Sequence, residues 1–359
     1  MTTAARAPIA ARQASTKYVA ICAALVVGLL ATVTIAVTIG PVRIAPSRVL
    51  AIVLSRVWSH TVPDGAMSDA YIVWDLRLPR VLLSVCVGAG LAVVGTALQA
   101  LVRNPLADPY VFGITSGASV GATLVLVLGI GAFGDYSLSI AAFVGAVAAF
   151  GLVLTLARSA GDLSPIRLIL AGLAVAYAMS AVTSFLVFLA AHEGNEGAAL
   201  SVLFWILGGF GAARWAHVPL PAFMLALGLT LLLLHARSLN ALLAGDETAA
   251  TLGVDVKRLR WRLLGLCSLL TGVMVAVSGG IGFVGLMVPH AVRLLIGTDH
   301  RRVLPIAMLA GGIFLAWADV LARTLFAPAE LPIGIITALS GAPFFMWLLR
   351  RREQAPDAR

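Results

Sequence analysis

Apolar residues run along this chain in long stretches, and the charges and prolines collect in the short segments between them. A helix needs about 20 residues to cross about 30 Å of hydrocarbon, and stretches of that order recur from end to end. They predict spans at about 18–39, 79–102, 112–132, 138–157, 168–191, 218–236, 262–280, 281–297, 304–325 and 333–349. The division at Gly280 rests on length and on the glycines of "VSGGIGFVGLMVPH", which favour a turn in a run too long for one crossing. The direction of every later span depends on it.

One interruption differs from the rest. Residues 241–261, "ALLAGDETAATLGVDVKRLRW", form the polar part of the longest connection, between the sixth and seventh spans. The pattern predicts a short helix over "SLNALLAG" closed by Gly245, then a second, "ETAATL", with Asp246 as its N-cap and Gly253 as its stop. Two short helices meeting at Gly245 make a knob. Lys257, Arg258, Arg260 and Arg262 follow as expected membrane-surface anchors at the mouth of the next span.

Composition agrees with the spans: 60% of the 359 residues are hydrophobic, 11% are charged, and the mean hydropathy is +1.01. A soluble domain needs far less to build one core, so the chain reads as an all-α, polytopic membrane protein. With ten spans the termini share a side, and that side carries 18 of the 25 Lys and Arg residues against 7 on the other. The positive-inside rule places both termini of this multi-pass protein in the cytoplasm. The basic pI then reflects topology, with no nucleic acid among the expected partners. The opening "MTTAARAPIAARQASTK" is expected to be a tail before a retained anchor. Cys22, Cys86 and Cys267 fall inside spans, which argues against a disulfide framework.

Chemistry is sparse. In "GITSGASVG", Gly113, Gly117 and Gly121 share a helical face and predict close helix packing. Pro289 is expected to kink the eighth span, and the neighbouring His290 is read as satisfying a freed carbonyl, since no second metal ligand accompanies it. Asp319 and Arg323, four residues apart, predict a structural ion pair near the outer end of their span. Seven arginines face outward: Arg43, Arg48, Arg56, Arg77, Arg80, Arg214 and Arg323. Each is either an edge anchor or a socket for acidic groups of a soluble partner. Lys17 and Lys257 are the chain's lysines and neither lies in a phosphate-binding loop, so any ATP is handled elsewhere; G-x-S-x-G and H-E-x-x-H motifs are absent. An ion-coupled secondary transporter would call for paired broken helices and a midplane acid, which the sequence does not display. A structural or receptor-like membrane subunit is the other rival.

Several segments together resemble the FecCD/BtuC-type permeases: "RLPR" at 77–80, "GAGLAVVGTALQALVRNPLADPYVFGITSGAS" at 88–119, "LAGDETAATLGV", "GGIGFVGLMVPHAVRLLIGTDHR" at 279–301, and "ADVLAR" with "ELPIGIITALSGAPFF" within 318–345. The resemblance implies one permease domain over 1–359 in the type II ABC importer fold, with a tail at 1–17, a coupling loop at 237–261 and a tail at 350–359. It implies a dimer with an identical or paralogous permease in the lipid of the cytoplasmic (inner) membrane, two ATPase subunits that hold the ATP and Mg, and an extracytoplasmic binding lipoprotein or periplasmic protein. This chain itself would hold no cofactor and no metal and catalyse nothing. By the same resemblance Gly245, Asp246, Glu247, Ala250 and Gly253 fall at the ATPase contact, and Arg77, Arg80 and Arg323 receive glutamates of the binding protein. Asn104 and Pro105 match the turn between the second and third spans, where helix-end geometry is expected. The implied cargo is a metal chelate, a ferric siderophore first, with cobalamin or haem as alternatives.

Overall fold

The computed structural model describes residues 6–58, 67–158 and 165–353, which are helical without a strand. In chain order the helices are α1 (Arg6–Thr38), α2 (Pro46–Trp58) and α3 (Met67–Ala70), then a π-helical stretch, Tyr71–Arg77, that runs directly into α4 (Leu78–Val102). There follow α5 (Ile114–Leu128), α6 (Ser137–Arg158), α7 (Pro165–His192), α8 (Glu196–Leu207), α9 (Pro219–Leu234), α10 (Ala236–Leu243) and α11 (Asp246–Thr251). The last four are α12 (Val256–Ser278), α13 (Val284–Ile296), α14 (His300–Thr324) and α15 (Ile333–Glu353). Among the described residues, seven helical segments are long and apolar enough to cross a membrane, and α5, α13 and the apolar part of α15 are shorter. These ten segments occupy the positions of the ten predicted spans.

Two departures from the pattern bear on the site. Helix α8, 12 residues capped by Asn195, whose side chain accepts from the Ala198 N–H at 3.2 Å, lies where a connection was expected. It is too short to cross, which is why a search for span-length runs passes over it. The break near Gly280 is real but longer than a turn at one residue: α12 stops at Ser278, five residues run without helix, and α13 starts at Val284. Gly279 (φ 66) and Phe283 (φ 69) supply the left-handed positions that reverse the chain.

Helix α4 is the centre of the bundle, buried along most of its length, and its glycines explain how neighbours come so close. A Cβ on Gly88 would overlap the Gly311 carbonyl of α14, and one on Gly95 would overlap the Gly285 carbonyl of α13. Small residues allow backbones to touch where lipid offers no hydrophobic drive for association. The α5 stripe behaves likewise at Gly117 and Gly121, which meet Gly145 and Ala141 of α6, but Gly113 departs from it. It sits at φ 70 as the N-cap of α5, facing α7 rather than α6. Pro289 lies inside α13, and the carbonyl it frees, that of Gly285, accepts from Gln99 Nε2 at 3.4 Å. The His290 ring stands edge-on to Phe344, with centroids 6.2 Å apart.

Candidate functional site

The contacts sort the bundle into two ends. At one end α10 and α11 form the knob, against the last turn of α4 and the starts of α12 and α14; at the other end lie residues 69–80, 135, 214–217 and 319–331.

The knob matches the predicted two-helix form with one correction. Gly245, at φ 113, is itself the N-cap of α11, and Asp246 is the first helical residue. Its carboxylate makes no cap. It accepts both Arg260 terminal nitrogens, Nη1 and Nη2, at 2.8 Å each, with Arg103 a further 3.7 Å away. Arg260 is therefore no surface anchor: its side chain is 8% exposed, and its Nε donates to the Leu101 carbonyl in the last turn of α4 at 3.2 Å. Glu247, Ala250 and Gly253 are exposed on the outer side of the knob, with Gly253 at φ 83 closing it. Asn240 of α10 ties the knob to α14, donating to the Asp299 carboxylate at 2.7 Å and accepting from the His300 N–H at 2.9 Å.

Asn104 and Pro105 sit just beyond the end of α4. Arg103 adopts the left-handed conformation (φ 53), the Asn104 N–H returns to the Gln99 carbonyl at 3.2 Å, and the Asn104 side chain accepts from the Leu106 N–H at 2.9 Å. This is helix-end geometry. Four residues on, Asp108 caps a short 3₁₀ turn by accepting from the Tyr110 N–H at 2.9 Å. Burial pushes its pKa up from 3.8 to about 6, a rise that the bond from Tyr110 partly opposes.

At the far end the three singled-out arginines turn inward. Arg77 is buried and donates to the carbonyls of Val37 and Thr38, both at 3.1 Å, and to that of Val42, so it ties the end of α1 and the loop after it to the start of α4. Arg323, also buried, donates to the Ala36 carbonyl at 2.6 Å and lies 3.6 Å from Asp319, which confirms the expected pair. Arg80 completes the group with Asp319 at 2.9 Å and Glu330 at 2.8 Å. As placed, Arg77 and Arg323 are interior ties of the cleft end. Arg80 and Glu330 line a cleft of about 590 Å³ together with Arg214, Phe204 and Ser278.

That cleft ends on a thin septum of backbone. The Gly209 N–H donates to the Ser278 carbonyl at 2.8 Å, the Ile333 N–H donates to Gly208 at 2.9 Å, and a Cβ on Gly334 would overlap the Leu207 carbonyl. The ends of α8 and α12 and the start of α15 thus meet without side chains between them. Beyond lies a second cavity of about 440 Å³, lined by Asp108, Tyr110, Leu207, Gly280, Phe283 and Ala338. The gap after α12 is announced by its glycines, but α8 and the way these helix ends abut two cavities are not, since a 12-residue helix does not stand out by hydropathy.

The described residues contain no cluster of three His, Cys, Asp or Glu able to hold a metal, and Cys22, Cys86 and Cys267 are free thiols. The class these features define is a multi-pass helical membrane protein with a cleft at one end and a braced helical knob at the other. The chain belongs to the FecCD transport family, whose profile matches residues 28–351. It is 42% identical to the cobalamin import system permease protein BtuC of Halobacterium salinarum, over 95% of this chain and 99% of that one. It is also 42% identical to the hemin transport system permease protein HmuU of Yersinia pestis, over 85% and 90% of the two chains. Among solved structures it is similar to a metal-chelate type ABC transporter in an inward-facing conformation, with a TM-score of 0.79, 33% identity, and coverage of 92% of this chain and 99% of that one.

Proposed function

We propose that this chain is the permease subunit of a type II ABC importer that admits a metal chelate, a ferric siderophore, to the cytoplasm. It pairs with a second permease, identical or paralogous. Two ATPase subunits sit under the knob, holding the ATP and Mg, and a binding protein docks over the cleft. The knob side is then the cytoplasmic side, in keeping with the excess of Lys and Arg there. The observation that carries this reading is the knob itself, with Glu247, Ala250 and Gly253 exposed while Asp246 is tied to the core. A polar helix held rigidly outside the bundle suits a partner that pushes on it.

Both relatives, at equal identity, carry cargo built round a chelated metal, and the metal-chelate type neighbour agrees with that class. The cleft supports bulky cargo: its volume is near 590 Å³ and its charges are already paired within the protein. For docking, Arg80 is the member of the arginine trio that reaches the cleft, and Arg77 and Arg323 hold the helices that present it. Alternating access follows if docking and ATP binding favour different states of the septum.

The test is reconstitution of the co-purified complex in liposomes, with uptake of a radiolabelled ferric siderophore compared with cobalamin and haem. ATP-dependent uptake of the siderophore alone is expected. Uptake of cobalamin or haem instead would retain the importer and replace the cargo, and isolation without any ATPase would overturn both. Glu247→Arg is expected to leave membrane insertion intact and to lower uptake at least about tenfold; wild-type uptake by that variant would remove the knob from the ATPase contact.

A further inference from the structure

Helix α11 is badly placed to transmit force by packing. Of its six residues only Ala249 is buried, and a single alanine offers too little contact to move a helix bundle. Besides Ala249 and the more distant Arg103, 3.7 Å from Asp246, what joins it to the core is a polar fork. The Asp246 carboxylate meets both terminal nitrogens of Arg260 at 2.8 Å, and the third guanidinium nitrogen, Nε, donates to the Leu101 carbonyl at 3.2 Å. A planar guanidinium with its nitrogens spent in fixed directions is a stiffer link than a lysine or an apolar contact would be. Arg260 therefore connects three elements at one point: α11 through Asp246, α12 through its own backbone, and α4 through Leu101.

The neighbouring ties show where such a connection leads. Asn240 fastens α10 to the first residues of α14, and α14 lies backbone against backbone on α4 at Gly88 and Gly311. At the far end of the same two helices, Arg80 of α4 and Asp319 of α14 are joined at 2.9 Å, with Arg80 also lining the cleft. Helices α4 and α14 thus form a column, tied at the knob by Arg260 and Asn240 and at the cleft by the Arg80–Asp319 pair.

Resting on the proposed importer function, we infer that Arg260 is a positioning residue: it transmits displacement of the knob to the α4–α14 column, and so couples ATP turnover to opening of the pathway. It touches neither cargo nor nucleotide. Its loss should leave the exposed face of the knob able to hold an ATPase while the push no longer reaches the column.

The experiment uses the intact complex in liposomes and measures ATP hydrolysed per cargo molecule moved, together with the amount of ATPase retained on purification. Arg260→Gln is expected to retain the ATPase and to raise the ratio about tenfold, the factor equivalent to about 1.4 kcal/mol of lost coupling. The paired exchange Asp246→Arg with Arg260→Asp restores the charge pair but sets a carboxylate against the Leu101 carbonyl, so it is expected to retain the ATPase and leave the ratio raised, whereas a role in the α11 pairing alone would recover it. If Arg260→Gln is not monodisperse, Arg260→Lys, which keeps the charge and loses the fork, supplies the same measurement. An unchanged ratio in a folded Arg260 variant, or full recovery in the exchange, overturns the inference. Failure of the wild-type complex to bind an ATPase or move a chelate is a different result and overturns the importer reading instead.

Discussion

Two buried carboxylates, one near each end of the bundle, meet opposite fates. Asp319, at the cleft end, is 0% exposed and faces Arg80 at 2.9 Å and Arg323 at 3.6 Å. Asp108, near the knob, is almost as deeply buried, and its one hydrogen bond among the described residues comes from the Tyr110 N–H at 2.9 Å. A buried charge is tolerable when it is paired and fully bonded, and otherwise it tends to neutralise. The cleft end is thus locked by charge, whereas the inner cavity is lined by a carboxyl whose pKa burial raises.

The largest test of that contrast is Asp319→Ala. Removing the shared partner leaves Arg80 with Glu330 alone and Arg323 with a carbonyl alone, both inside the protein. Breaking a buried pair from one side costs about 3–5 kcal/mol, so the detergent-solubilised variant is expected to unfold well below the wild type in a thermal scan. A loss under about 1 kcal/mol would mean that the arginines are hydrated and that the cleft end is not locked.

These two acids also show what the sequence could and could not disclose. Asp319 and Arg323 are four residues apart on one helix, so their pairing is readable by spacing alone. Arg80 is 239 residues from Asp319, and Arg260 is 159 from Leu101, and no local pattern announces partners at that distance. For the same reason the interior ties that Arg77 and Arg323 make to carbonyls of α1 are not readable from the sequence. The knob was legible because glycines and acids punctuate it locally, at Gly245, Asp246, Glu247 and Gly253. Even there the cap was misplaced by one residue, because Asp246 had a distant arginine to satisfy. Helix α8 escaped notice because hydropathy finds segments by length, and 12 residues fall short of a crossing.

Asp108→Asn should have a smaller effect of opposite sign. Its folded pKa, about 6, lies above the ordinary 3.8, so the folded state binds the proton more tightly than the unfolded one does. The stabilisation from that proton is complete below about pH 4 and is lost as the pH rises through about 6. Asparagine keeps an acceptor for the Tyr110 N–H without the charge. The variant is therefore expected to gain about 1–3 kcal/mol at pH 7.5 and nothing at pH 4, seen as a thermal midpoint that no longer falls across that interval. An equal shift at both pH values would show that the effect comes from packing and not from titration.

The smallest effect is expected at the rim of the cleft, where charge pairing looks strongest by distance and should matter least. Arg214 and Asp135 approach to 2.5 Å, yet their side chains are 63% and 64% exposed. Water and salt screen such a pair, and exposed ion pairs contribute about 0.2–1 kcal/mol. The segment after Arg214 has a better anchor: the Trp215 Nε1–H donates to the Trp74 carbonyl at 2.8 Å, and the two indole rings lie 5.0 Å apart. Arg214→Ala should therefore shift the thermal midpoint by less than Trp215→Ala does, and the shift should vanish at about 1 M salt, where the Debye length is about 3 Å. If the two variants proved equally damaging at high salt, the rim would be held by charge after all, and the distinction between a locked interior and a screened surface would not describe this end of the protein.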